Sequence, residues 1–221
     1  MSDTYTGEVT VGGAPDVRRL PGLTIVKLAV GPMSNNAYLL RCTRTDEGLL
    51  IDAANEAPRL RELITFEGPP VSAILTTHQH WDHWQALAET VDAAGAAVYA
   101  GDEDADELPV AVDERLHHGD VITVGDLSLE MIHLRGHTPG SIAVLYRDPE
   151  GAAHLFTGDS LFPGGVGKTG SPEDFTSLIT DVSERVFEVL PDDTWFYPGH
   201  GNDSTLGTER PHLDEWRERG W

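Results

Sequence analysis

Apolar residues along this chain fall into short runs divided by turn-forming residues, and the spacing within the runs alternates between strand-like and helix-like. LTIVKLAV at 23–30, AYLLRC at 37–42 and GLLID at 48–52 are aliphatic and partly β-branched, with GPMSNN and TRTDEG between them. That order of runs and turns predicts a meander of strands. In 56–66 (EAPRLRELITF) the apolar positions fall at helical spacing, and Pro58 lies near the start, where a helix tolerates it. VSAILTT at 71–77 reads as a buried strand, 84–94 as a helix and AAVYA at 96–100 as a further strand.

Residues 101–120, GDEDADELPVAVDERLHHGD, form the most acidic stretch and read as a surface excursion. Strand-like runs resume with VITV, LSLEMIHL, SIAVLYR and AAHLFTGD. A helix is expected over 172–190, a last strand in TWFYPGH and a charged, helical tail over 211–221. Residues 1–15, rich in Gly and Thr, read as an extended lead-in. Each half runs β-rich and then helical, which fits two sheets packed together with helices outside. One domain over 1–221 is expected, because domains with two stacked sheets reach this size.

Composition narrows the classes of function. A hydrophobic fraction of 39% supports a sizeable core. The formal net charge of −22 argues against nucleic acid, whose phosphates nothing here could neutralise, and against anionic membrane surfaces. No apolar run approaches the length of a membrane span. The N-terminus has neither the basic nor the apolar region of a secretory leader. The single cysteine, Cys42, excludes an internal disulfide and a thiolate metal cluster, and reads as a small buried hydrophobe. The expectation is a cytoplasmic protein acting on a small molecule.

Candidate chemistry concentrates in THQHWDHW at 77–84, directly after a predicted strand. Residues two apart on an extended segment point the same way, so His78 and His80 can grip one ion. The turn that follows can bring Asp82 and His83 beside a second. Three further candidates sit at strand ends followed by Gly-containing turns: His137 in RGHTPGS, Asp159 in FTGDSLF and His200 in YPGHGND. Such loops are where a rigid scaffold presents functional groups. The set of five His and two Asp suits Zn²⁺, Fe²⁺ or Mn²⁺. His117, His118, His133 and His212 fall in no motif and read as surface or core residues, and His154 as structural. GGVGKT at 164–169 looks like a phosphate loop but lacks its first glycine: the pattern needs Gly five residues before the Gly-Lys pair, and Phe162 stands there.

The order His-x-His-x-Asp-His, Gly-His-Thr-Pro-Gly, Thr-Gly-Asp and Pro-Gly-His resembles the metallo-β-lactamase superfamily. The resemblance implies an α+β fold, a four-layer αββα sandwich with two divalent ions at one edge, zinc first and iron or manganese as alternatives. It assigns His78, His80 and His137 to the first ion and Asp82, His83 and His200 to the second. Asp159 would bridge them, and Asp52 would stand behind, orienting the metal loop. Two ions sharing a water lower its pKa towards neutrality, and Asp82 would be catalytic by both ligating and orienting that nucleophile.

SLFPGGVGKTGSPEDF and PGHGNDSTLGTER are similar to compact, single-domain members of the glyoxalase II (hydroxyacylglutathione hydrolase) group. That similarity implies a thioesterase acting on a glutathione-like thiol conjugate, with Lys168 binding a substrate carboxylate. Full-length glyoxalase II has a helical C-terminal domain that completes the glutathione pocket, and 21 residues follow His200 in this sequence. Thr169 and Gly170 stand where an aromatic residue is expected. Trp84-Gln85-Ala86 replaces the usual Gly-Gly, so Trp81 and Trp84 are expected to wall the pocket. Two rival activities share the fold: a mononuclear iron persulfide dioxygenase, using two of the first-site His with Asp159, and a lactonase or β-lactamase-type hydrolase.

Overall fold

β1 (Asp16–Arg19), β2 (Leu23–Val30), β3 (Asn35–Cys42) and β4 (Gly48–Ile51) form an antiparallel meander. Every residue of β2 and β3 is buried, so LTIVKLAV shows no polar alternation: both faces of the sheet are covered. The chain then crosses through α1 (Ala57–Leu63) to β5 (Ala73–Thr76), and through α2 (Leu87–Ala94) to β6 (Ala97–Gly101). β7 (Glu114–Leu116) follows, and β4 through β7 pair in parallel, completing a seven-stranded sheet in sequence order. This computed structural model describes residues 5–220; the first four residues of the expected lead-in and Trp221 of the expected tail lie outside the described residues.

The second sheet holds β8 (Val121–Val124), β9 (Leu127–His133), β10 (Ile142–Arg147), β11 (Ala153–Gly158), β14 (Trp195–Pro198) and β15 (Ser204–Thr205). Between β11 and β14 lie the small hairpin of β12 (Leu161–Phe162) and β13 (Gly165–Val166), then α3 (Pro172–Val182). The chain ends on α4 (Leu206–Glu209) and α5 (Leu213–Arg219). Pro172 opens α3, and the Ser171 side chain caps it by accepting from the Asp174 amide.

Three buried clusters fix the layers, and strand alternation sorts residues among them. Leu40, Leu75, Met131, Val144 and Phe156 fill the space between the sheets. Their strand neighbours Leu39 and Ile74 face outward, onto Leu60 of α1 and Leu87 of α2. On the other side Leu145 and Leu155 meet Leu178 of α3 and Trp216 of α5. Period-two alternation on sheets covered on both faces therefore yields helix, sheet, sheet, helix, the expected αββα sandwich.

Several expectations need correction. Residues 101–120 are not merely a surface excursion: they supply β7, and Ala105, Leu108 and Leu116 are buried. The helix expected over 84–94 begins only at Leu87, because Trp81–His83 form a 3₁₀ turn ahead of it. The helix expected over 172–190 ends as α3 at Val182 and continues as one wider turn, Ser183–Phe187. Among the described residues no helix is long and apolar enough to cross a membrane.

Candidate metal centre

Strand direction gathers the candidate residues at one rim. β4 and β5 are parallel, so Asp52 and Thr77, each directly after its strand, emerge together. β9 and β11 both run antiparallel to β10, and β14 runs parallel to β11. The loops carrying His137, Asp159 and His200 therefore leave the second sheet on the same side. Backbone bonds join the two sheets there: Ile142 N donates to Thr77 O at 2.9 Å and Asn36 N to Gly199 O at 2.7 Å.

Three groups of side chains converge closely enough to hold an ion: His78, His80 and His137; Asp82, His83 and His200; and His78, His83 and Asp159. In the first group His80 Nδ1 lies 2.9 Å from His137 Nε2, which lies 3.3 Å from His78 Nε2. In the second, Asp82 Oδ2 is 3.4 Å from His200 Nε2 and 3.5 Å from His83 Nε2. Asp159 lies between them, with Oδ1 3.4 Å from His83 Nε2 and Oδ2 3.8 Å from His137 Nε2 and 3.5 Å from His200 Nε2. Gly199 makes this approach possible: a Cβ there would sit 2.2 Å from Asp159 Oδ1.

Outer hydrogen bonds fix which nitrogen of four of these rings faces inward. Asp52 accepts from Thr77 N at 2.8 Å, Thr77 Oγ1 at 2.9 Å and His83 Nδ1 at 2.8 Å. Thr77 Oγ1, having given its proton to Asp52, can only accept from His78 Nδ1, 3.0 Å away. His137 Nδ1 donates to Lys168 O at 2.7 Å and His200 Nδ1 to Met33 O at 3.0 Å. In the neutral rings of His78, His83, His137 and His200, Nε2 is then left as a lone pair pointing at the centre, while His80 turns its Nδ1 inward.

Those lone pairs need a cation. Two imidazole nitrogens facing each other at 3.3 Å without a proton between them repel. His83 Nε2 and Asp159 Oδ1 are buried, and neither makes a hydrogen bond. Orphaned buried polar atoms of this kind are what an ion at this position would satisfy. Nitrogen and carboxylate donors without thiolate suit borderline divalent metals.

The electrostatics follow from the same contacts. Burial, reinforced by the neighbouring imidazoles, pushes His78 well below the usual histidine range. Burial also opposes charge on His83, but the Asp52 and Asp159 carboxylates outweigh it and raise its pKa, so this ring favours a positive charge at Nε2, a proton or a metal ion. The Asp82 carboxyl is held far below its ordinary value: burial works against this, and His200, His83 and Asn35 prevail. Asp159 is lowered in the same way, chiefly by His83.

Lys168 lies exposed on the turn after β13, and its carbonyl is the group that orients His137. Trp81 is exposed beside the site, but Trp84 is not a pocket wall: it packs onto the outer core of the first sheet and donates from Nε1 to Gln79 O at 2.8 Å. His154 is buried and bonded to the Tyr197 hydroxyl, and His133 Nε2 bonds Pro139 O in the turn after His137. Cys42 is buried.

Sequence reasoning missed Asp104, which it placed in the surface excursion. The side chain is fully buried and accepts from Gln79 N at 2.9 Å, Gly140 N at 2.7 Å and Thr138 Oγ1. It ties the loop of His78 and His80 to the turn of His137. It lies three residues past Gly101, which ends β6, whereas Asp159 directly follows Gly158 at the end of β11, so the strand-end signal is weaker here. Asn35, whose Nδ2 donates to Asp82 Oδ2 at 2.8 Å, was also missed.

The αββα sandwich and the rim of His and Asp define a class, and comparison with known proteins agrees. The profile of the metallo-beta-lactamase superfamily matches residues 30–200, and the chain belongs to that superfamily. Over 205 residues it is 30% identical to a probable metallo-hydrolase, YqgX, of Bacillus subtilis, covering 83% of this chain and 93% of that protein. It is 36% identical over 168 residues to a hydroxyacylglutathione hydrolase of Fuscovulum blasticum, covering 75% of this chain but 62% of that longer protein. Among solved structures, TTHA1623 in a di-iron-bound form matches with a TM-score of 0.68 at 33% identity, over 83% of this chain and 96% of that one.

Proposed function

We propose that this metallo-hydrolase family member is a thioesterase that cleaves the acyl group from an anionic, glutathione-like thiol conjugate at a pair of divalent ions, zinc or iron. The observation that carries the reading is the pair of ligand groups on either side of Asp159, each with its lone pairs already aimed inward. His78, His80 and His137 would hold one ion and Asp82, His83 and His200 the other, with Asp159 between. Bound there, such a pair supplies Lewis acidity and lowers the pKa of a water towards neutrality.

The remaining work falls to side chains. Asp82, kept ionised, accepts a hydrogen bond from the attacking water and orients it towards the carbonyl carbon. His137 is held in register by the turn that carries Lys168, whose ammonium meets a carboxylate of the thiol moiety. On a chain of net charge −22 that cation gives an anionic substrate a foothold. The likeness to a hydroxyacylglutathione hydrolase supports a thioester over a lactone or lactam. We place the reaction in the cytoplasm, where small thiols are kept reduced.

Metal analysis of the purified protein with a panel of thioester, lactone and persulfide substrates tests this reading. About two ions per chain, with turnover of glutathione thioesters above the other substrates, is the expected result. One iron per chain with oxygen consumption on a persulfide would replace the hydrolase with a dioxygenase.

A further inference from the structure

Asn35 opens β3 and is buried, 2% exposed. It follows a tight turn in which Ser34 takes a φ of 56° and donates its amide to Gly31 O. The turn delivers the strand so that Asn35 pairs with His200 across the gap between the two sheets. Successive strand residues point to opposite faces, and here the two asparagines divide their work accordingly. Asn36 Nδ2 grips the backbone of the His200 loop, donating to Pro198 O and Gly201 O at 2.9 Å each. Asn35 turns the other way, into the second ligand group. Its Nδ2 lies 2.8 Å from Asp82 Oδ2 and 3.4 Å from His200 Nε2.

An ionised carboxylate only accepts hydrogen bonds, so the atom of Asn35 facing Asp82 must be the amide nitrogen. The oxygen it holds, Oδ2, is the same one that faces His83 and His200. A carboxylate oxygen has more than one lone pair. With one engaged by Asn35, the carboxylate can no longer swing, and the other stays aimed between the two imidazoles.

We propose that Asn35 is a positioning residue for the second ion, fixing Asp82 by donating from its carboxamide to Oδ2. The second group then has one outer partner for each member: Asp52 for His83, the Met33 carbonyl for His200 and Asn35 for Asp82. The role rests on the two-ion reading and adds to it a residue outside the ligand set.

Asn35→Leu keeps the approximate size and removes the donor. Asn35→Ala removes it with less demand on packing and answers the same question if the leucine variant fails to fold. Zinc and cobalt(II) are titrated into metal-free wild type and variants against a competing chelator, and the absorption bands of the second cobalt are followed. The first ion should bind as in wild type, while the second weakens about 10–100-fold and its bands shift, the cost usual for losing an outer partner of a ligand. A second ion bound with wild-type affinity and spectrum in a folded variant overturns the role of Asn35 and leaves the hydrolase reading standing. Equal weakening of both ions also overturns it, since that marks a general packing defect. Wild type that takes up only one ion overturns both.

Discussion

Replacing Asp52 separates what its carboxylate does for stability from what it does for the metal loop. The side chain is 1% exposed and accepts from Thr77 N, Thr77 Oγ1 and His83 Nδ1. The residue also sits at a φ of 60°, a left-handed conformation that Asn and Asp tolerate better than most. Asp52→Ala strands all three buried donors. At about 1.5–3 kcal/mol for a bond to a charged group, with losses in one network less than additive, the net cost is about 3–5 kcal/mol. That is a large share of the ~5–15 kcal/mol that holds a typical domain together.

Asp52→Asn behaves differently. Asparagine accepts the left-handed backbone, and its Oδ1 can still take the Thr77 amide, so the stability cost should be about 1–2 kcal/mol. Its Nδ2, however, presents a donor to His83 Nδ1. The ring must then move its proton to Nε2, and the lone pair facing Asp159 disappears. The second ion should bind about 10–100-fold more weakly. Urea unfolding of the metal-free proteins at unchanged slope gives the first quantity, and chelator competition gives the second. Wild-type affinity for both ions in Asp52→Asn would refute the claim that Asp52 sets the His83 tautomer. Equal stability of the Ala and Asn variants would refute the hydrogen-bond accounting.

Asp159→Asn should abolish turnover and remove at least one ion while leaving the far-ultraviolet circular dichroism unchanged; full activity would exclude a bridging carboxylate. If Lys168 binds a carboxylate on the unreacting part of an anionic thioester, as proposed, Lys168→Ala should raise KM about tenfold, the equivalent of ~1.4 kcal/mol, with kcat held. An unchanged KM would place the anion elsewhere. Burial opposes the charge on Asp181, but the hydrogen bonds of Arg135 and the nearby Arg185 overcome it and hold its carboxyl below the usual carboxylate range. A carboxylate lowered on folding contributes stability above its unfolded pKa and loses it as pH falls through the folded value. The gap in urea midpoint between wild type and Asp181→Asn should therefore be full at neutral pH and shrink below about pH 4; a constant gap would exclude the linkage.

Much of this architecture is legible in the sequence because it depends on period and punctuation. Leu39 and Leu40, or Ile74 and Leu75, must face opposite layers whatever the loops do. The THQHWDHW stretch and the Gly-flanked His137, Asp159 and His200 carry their chemistry locally, so their convergence could be anticipated from strand ends alone. Asp104 could not be placed so easily. In a run of acids one carboxylate looks like the next, and only the folding of the His78 and His137 loops over it supplies the three donors that make its burial tolerable. β7 was hidden for a related reason, since a three-residue edge strand with two exposed positions has no periodicity to read. Trp84 looked like a pocket wall because it follows the motif, yet the 3₁₀ turn rotates it towards the core.

The rim where the sheets meet has a mechanical meaning as well as a chemical one. His78, His80, Asp82 and His83 hang from the first sheet, and His137, Asp159 and His200 from the second. Any ion held in either triad therefore clasps the two halves of the sandwich together. Ligand that binds only the closed form adds ~4 kcal/mol at a thousandfold excess over its dissociation constant. On the two-ion reading the durability of this fold would be tied to the free metal concentration around it, and stripping the ions should loosen the seam at this rim before it disturbs the opposite one.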